Sequence, residues 1–292
     1  MYKTVEDYLD ALKKELEGID SATMQDALAD AEEHLRTALE ANGNDESGLD
    51  AIIEEYGTPE ETAAAYAEVE RRTAPTLTGS ATKKERTGLG YFFAIYADPR
   101  AWGAFFYMLI AFVTGIVYFT WAVTGLSLSV SFALFIFGLP VALLFILSVR
   151  GIAWLEGRLV EALLGVRMPR RPLFSPQNVK WQERLKALVT DKHTWFSLLY
   201  MFLQFVLGTV YFVVLVTIFS LALTGFAIPI VQEYFGEPTI TTMTGEYFLP
   251  TWSYPLTILA GILLWTATMH LVRWVGGLHG KYAKAMLVVE QD

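Results

Sequence analysis

The chain has 292 residues, of which 53% are hydrophobic, 14% aromatic and only 18% charged, with a mean hydropathy of +0.37. Soluble domains carry about a quarter charged residues, so the composition argues against an ordinary soluble enzyme. It also excludes intrinsic disorder, which needs apolar-poor sequence, and the absence of Cys excludes a disulfide scaffold, a zinc ribbon, thiol redox chemistry and a cysteine protease.

Charge divides the chain. Residues 1–72 hold 6 Lys and Arg against 20 Asp and Glu, a net of −14, whereas residues 73–292 carry a net of +5. A small acidic soluble domain therefore precedes a mildly basic, very apolar one. With a pI near 5.0 and no basic stripe interleaved with aromatics, no nucleic-acid partner is expected.

The acidic domain reads as four helices. Thr4 is placed to cap the first, with Asp7 at the capping-box position. The stripe is Val5, Leu9, Leu12 and Leu16, and Gly18 ends it. Ser21 starts the second, with Met24, Leu28, Ala31, Leu35 and Leu39 on one side and Gly43 as its end. A short third helix holds Leu49, Ile52, Ile53 and Tyr56 and stops at Gly57. Thr58, Pro59, Glu60 and Glu61 then make the clearest helix start in the chain, leading a fourth helix to about Arg72. Glu32, Glu33 and His34 are neighbours on a helix and point in different directions, so a solvated face is expected rather than a metal site.

This stretch resembles the HAAS domain, a small helical signalling module. The resemblance rests on Tyr8-Leu9 with Leu12 and Leu16, on Glu33-His34, on Ile52-Ile53, and on the Gly57-Thr58-Pro59-Glu60 turn followed by Ala63 and Tyr66. It implies a regulatory cytoplasmic domain ahead of membrane segments, of the kind associated with bacterial and archaeal signalling and transport operons. It names no ligand.

Residues 73–90 are rich in Thr, Pro, Ser and Gly and carry Lys83, Lys84 and Arg86, which reads as a flexible tether. No apolar run stands in the first twenty residues, so no signal peptide is expected. Between Arg100 and Arg150 lie 49 residues without Asp, Glu, Lys or Arg, enough for two spans of roughly 20 residues each. The expected spans are about 102–123 and 128–149, turning at Thr124, Gly125 and Ser127. A third is expected at about 196–222 and a fourth at about 252–272, after Pro250. The segment 150–194 and the tail hold Lys and Arg, whereas the loop 223–251 holds only Glu233, Glu237 and Glu246. By the positive-inside rule both termini are cytoplasmic, in an inner, cytoplasmic cell membrane crossed four times.

The membrane part repeats itself. Asp98–Phe119 aligns without gaps on Asp191–Phe212, 93 residues on, with ten of 22 positions identical: Asp98, Trp102, Tyr107, Met108, Phe112, Val113, Gly115, Val117, Tyr118 and Phe119. The hairpin ends correspond at an offset of 123, through Arg150 and Arg273, Leu155 and Leu278, Gly157 and Gly280, Arg158 and Lys281, and Ala162 and Ala285. Both hairpins start inside, so the repeat is parallel, with a pseudo-two-fold axis along the membrane normal as the natural arrangement.

The duplicated hairpin, with a Trp at the start of each first span, resembles the "putative sensor" membrane domain of some bacterial histidine kinases and of stand-alone proteins, over about residues 85–290. The resemblance implies a sensor. No kinase, ATP-binding domain or phospho-acceptor helix is expected after the fourth span, so output is expected to pass through the HAAS domain or a partner chain.

Gly115 and Gly208 stand at equivalent positions in spans one and three, where small residues let helices approach. Gln204, the main strongly polar residue inside a span, is expected to bond a neighbouring helix. No Asp, Glu, Lys or Arg is expected deep in a span, which argues against an ion-coupled carrier. His34, His193, His270 and His279 show no metal-ligand spacing, so neither a metal nor another cofactor is expected. No phosphate loop, nucleophile elbow or carboxylate pair marks a catalytic site, and none is expected. Ile152–Val166 and Trp274–Val289 read as amphipathic helices on the inner membrane surface, with a plain continuation of the spanning helix as the alternative. Arg167, Arg170 and Arg171 add attraction to anionic lipids. In the outer loop, 224–251, Thr239–Thr242 and Tyr247–Leu249 are expected to form a hairpin through Gly245. One reading is a lid at the membrane interface. The other is a site for a cationic or amphipathic ligand, held by Glu233, Glu237 and Glu246 against Trp252 and its neighbouring rings.

The expected fold is an all-α membrane protein: a cytoplasmic helical domain at 1–72, a linker at 73–90, and a four-span domain at 91–292. That domain is built of two parallel-repeat hairpins, at about 91–170 and 184–290. The leading function is a membrane sensor-like signalling adaptor without its own kinase. The alternatives are a small transport or lipid-handling component, such as an accessory subunit of an ABC-type system, and a structural scaffold. Expected partners are membrane lipids, a cytoplasmic or membrane protein, and further copies of the chain.

Overall fold

A computed structural model describes residues 2–43, 48–78, 88–132, 138–170 and 181–288. Ten α-helices follow in chain order among these residues: α1 (Val5–Glu15), α2 (Ser21–Ala41), α3 (Leu49–Tyr56), α4 (Pro59–Thr78), α5 (Gly88–Phe93), α6 (Pro99–Phe132), α7 (Gly138–Leu164), α8 (Trp181–Thr190), α9 (Lys192–Phe235) and α10 (Tyr254–Leu287). The only sheet among the described residues is the antiparallel pair β1 (Ile240–Thr242) and β2 (Gly245–Tyr247), between α9 and α10. Among the described residues, four helical segments are long and apolar enough to cross a membrane: Pro99–Phe132, Pro140–Leu164, Lys192–Phe235 and Thr251–Leu287.

By their internal contacts the described residues form two compact units. The first joins the N-terminal helices to Thr120–Met201 and to the chain from Gly280. The second joins the chain from α5 through Phe119 to Phe202–His279.

In the first unit, α1–α4 close a small core of Val5, Tyr8, Leu12, Leu16, Leu28, Leu35, Leu49 and Ile53. Local signals set the helix ends. Thr4 and Asp7 form the reciprocal capping box of α1. Asp20 caps α2 through Ala22 N, 3.1 Å away. Thr58 Oγ1 accepts from Glu61 N at 3.3 Å, while Glu61 Oε2 accepts from Thr58 N at 3.0 Å. Gly57 has φ +113, open to glycine but strained for other residues. That conformation turns its carbonyl to the Tyr8 hydroxyl, 2.9 Å away, so the turn is tied to the core. The hydroxyls of Tyr66 and Tyr56 both reach Asp30, at 3.0 and 3.4 Å. Burial, and then the Asp30 charge, push the Tyr56 phenol well above its ordinary range. α4 runs to Thr78, past the expected end at Arg72; the basic cluster Lys83, Lys84 and Arg86 lies outside the described residues.

The long helices correct several expectations. α6 does not turn at Thr124, Gly125 and Ser127 but continues to Phe132. Gly125 is there for packing: a Cβ on it would lie 2.1 Å from Phe145 Cδ2. With no water to take up freed peptide groups, residues that would turn a soluble chain stay helical. α9 likewise carries Pro229 inside the helix and absorbs the first part of the expected outer loop. α7 runs unbroken to Leu164 and α10 to Leu287, continuing the spanning helices into the segments expected as separate surface helices. The alternative of a plain continuation holds, because no residue between 149 and 152 or between 272 and 276 stops a helix.

Candidate functional site

Helix α7 ends at Leu164, and Gly165 turns the chain with φ +69. The next five residues, 166–170, form a strap within the first unit. Met168 is buried at 1% exposure and lies beside Gly157, where an added Cβ would sit 3.6 Å from it. Val166 fits against Gly280 of α10, where a Cβ would come within 2.5 Å of its methyl group. Arg158 holds the strap from α7, donating to Met168 O at 2.8 Å and to Pro169 O at 2.6 Å. Trp154 Nε1 donates to Arg170 O at 3.3 Å.

The acidic module docks on this strap. Asp26 of α2 is 6% exposed. Its Oδ1 accepts from Arg170 N at 2.6 Å, and its Oδ2 lies 3.9 Å from the Arg167 guanidinium. Asp20 caps α2 and also forms an ion pair with Lys284 of α10. Arg170 bonds Glu161 at 3.4 Å. Arg167 and Arg170, expected to attract anionic lipids, are also the strap's partners for Asp26 and Glu161: Arg170 meets Asp26 through its backbone N and keeps an exposed guanidinium, and Arg167 lies beside Asp26. Arg171 lies outside the described residues.

Contacts among the long helices fall on the repeat positions. In the second unit a Cβ on Gly115 would sit 2.7 Å from Gln204 O, and one on Gly208 would sit 2.2 Å from Ala111 O. Phe112 stacks on Phe212 at 4.4 Å between centroids, and Phe119 on Phe205 at 4.7 Å. Asp98 pairs with Arg273 at 2.9 Å; in the first unit Asp191 pairs with Arg150. Tyr107 is hydrogen-bonded to His279 at 2.7 Å, and Tyr200 donates to Glu156 at 2.9 Å. Gln204 Nε2 donates to Tyr107 at 3.2 Å, and Tyr211 reaches the other His279 nitrogen at 3.1 Å.

Glu156 is buried at 1% exposure within the candidate span Pro140–Leu164. The sequence places the end of that span at about 149 and so expects no carboxylate within it; the helix continues to Leu164. Sequence reasoning gave Glu156 and His279 no role, although the 123-residue offset puts them at one repeat position. Asp20 and Asp26 left no signal, since both look like ordinary charges of an acidic helix.

The outer segment is anchored by a residue that the sequence did not single out. Buried Gln232, on α9, accepts from Thr239 Oγ1 at 2.6 Å and from Leu249 N at 3.3 Å. The hairpin forms, but its strands pair Ile240 with Tyr247 and Thr242 with Gly245, so Gly245 opens β2 instead of making the turn. Glu233, Glu237, Glu246 and Trp252 are all exposed.

The long helices define a multi-pass helical membrane protein with a small helical module ahead of its spans, and its family matches make it one of the sensor and signalling type. Residues 107–287 match the Putative sensor family, and residues 7–65 match the HAAS family. The chain belongs to the Putative sensor family and carries a HAAS domain. Neither is a family of known enzymes; the HAAS domain speaks for protein–protein contacts and the long helices for contact with lipid. No curated protein and no solved structure matches the chain.

Proposed function

We propose that the chain is a membrane sensor adaptor, which passes a change in its membrane helices to a protein partner through the HAAS domain. The observation that carries this reading is the double attachment of α2, through Asp26 to the strap after α7 and through Asp20 to Lys284 of α10. A shift of either helix end pulls directly on the module. In this reading the module, the strap and both termini are cytoplasmic; the Lys and Arg of 150–194 and the shared attachment of the module to α7 and α10 support it. The two hairpins work as a parallel, two-fold pair. The exchanged partners support that arrangement, since Asp98 with Arg273 and Asp191 with Arg150 are one contact with the repeats interchanged.

The test is hydrogen exchange on the full-length protein in vesicles of thin and of thick bilayers, the thickness serving as the perturbation. Exchange in α2 should change with thickness in the wild type. With Asp26→Ala and Lys284→Ala combined, α2 should exchange fast and alike in both bilayers. An α2 that ignores thickness in the wild type sinks the coupling.

A further inference from the structure

A cavity of about 390 Å³ lies in the second unit, lined by Tyr96, Phe219, Ala222, Leu223, Phe226, Ile262 and Trp265. That volume is in the range of about 300–1,000 Å³ typical of small-molecule sites. We propose that it holds one acyl chain of a bilayer lipid.

The cavity arises from packing. Where α9 meets α10, Gly225 and Gly261 bring the backbones together: a Cβ on Gly225 would sit 2.5 Å from Thr257 O, and one on Gly261 would sit 2.8 Å from Ala222 O. Glycine and alanine make that approach and leave no side chain to fill the volume beside it. The rings of Phe219 and Trp265, 4.7 Å apart, form one wall. The hydroxyl of the lining Tyr96 is already used, since it is hydrogen-bonded to Thr266 at 2.8 Å.

The walls and the surroundings choose the occupant. A water in such a space would find too few partners, and apolar cavities of this kind stay dry. Left empty, the lining would forfeit its dispersion contacts on one side. Leu223 and Phe226 are 49% and 37% exposed, so the cavity opens at the surface of the helices. No Asp, Glu, Lys or Arg lies between Lys192 and Glu233 or between Glu246 and Arg273, so α9 and α10 meet the hydrocarbon at this level. The apolar molecules available there are lipid chains, and a flexible chain adapts to a slot walled by rings. This assignment is independent of the coupling through the strap.

The experiment uses the full-length protein in phosphatidylcholine vesicles doped with a phosphatidylcholine that carries a diazirine in one acyl chain. After irradiation, adducts are mapped by peptide mass spectrometry. They should concentrate on Leu223, Phe226, Ile262 and Trp265, above the yield on the exposed Leu221, Leu256 and Leu259. Leu223→Trp should close the mouth and lower the cavity adducts several-fold, whereas Leu221→Trp on the same helix should leave them unchanged. Helix content is checked for both variants, and the wild-type distribution does not depend on either of them folding. Adducts spread evenly over cavity and exposed residues, or a cavity yield indifferent to Leu223→Trp in a folded protein, would overturn the assignment.

Discussion

The HAAS module and the long helices obey different rules for where a helix ends and what a glycine is for. In the module, ends are written locally. Thr4, Asp20 and Thr58 cap with their side chains, and Gly18, Gly43 and Gly57 leave with positive φ. In α6 and α9, glycines sit inside the helix, and Gly115, Gly125, Gly208 and Gly225 each stand where a Cβ would strike a neighbouring residue at under 3 Å. Water explains the contrast. It offers the soluble chain an alternative partner for each peptide group, so caps and turns compete with the helix. Where that alternative is missing, the helix persists, and small residues matter for how close its neighbour comes.

The largest effect should come from breaking that closeness. Gly208→Leu drives a side chain into the Ala111 carbonyl and Gly115→Leu into that of Gln204. Backbone cannot swing away as a flexible side chain can, so each should cost about 3 kcal/mol, the upper end for overpacking. The measurement is thermal unfolding of the full-length protein in detergent. Gly151→Ala on α7 is the control, because nothing lies within 4 Å of a Cβ there. It should be neutral or stabilise by about 0.5–1 kcal/mol. Equal melting of the Gly208→Leu and Gly151→Ala variants would erase the distinction between the two kinds of glycine.

The same rule explains what the sequence disclosed. The four module helices were legible because Thr58-Pro59 and Gly57 carry their meaning in their own backbone preferences. Spans were legible as charge-free runs, but not in length. A hydropathy window measures the thickness of the bilayer and says nothing about a helix that continues beyond it, as α7 does through Glu156 and Arg158 to Leu164. At Gly125 the residue type was read as a turn, because composition does not say whether a glycine bends its own chain or admits another. The strap was illegible for a different reason. Asp26 differs from its acidic neighbours only by facing Arg167 and Arg170, some 140 residues away, and that pairing is a product of the tertiary fold.

A smaller effect should follow from a module glycine. No clash opposes a Cβ on Gly57, whose nearest neighbours are the Glu61 and Thr62 side chains at 3.6 Å. The cost of Gly57→Ala is therefore conformational: φ +113 strains any residue with a Cβ, by about 1–3 kcal/mol. Because the Gly57 carbonyl receives the Tyr8 hydroxyl, the loss should appear in the module alone. Hydrogen exchange of the full-length protein should show α1, α3 and α4 opening more often while α6 and α9 keep wild-type protection. Equal loosening of the long helices would mean that the two regions unfold together.

The smallest effect is one of pH, and it again concerns the module. Burial raises the phenol of Tyr8, and burial with the Asp30 charge raises that of Tyr56 more strongly. Unfolded, both titrate near about 10. Below that pH both phenols are neutral in either state, and their burial carries no linkage cost. Above it the unfolded chain gives up protons that the folded module holds, so the folded state loses ground as pH rises from about 10. Phenolate absorbance of the full-length protein should therefore lag in the native state and catch up as the module opens. Tyr56→Phe removes the more strongly held phenol and should shrink the stability lost between neutral and alkaline pH, even though it gives up the 3.4 Å bond to Asp30. An alkaline loss as large in Tyr56→Phe as in the wild type would place the sensitive group elsewhere and leave Tyr56 a packing residue.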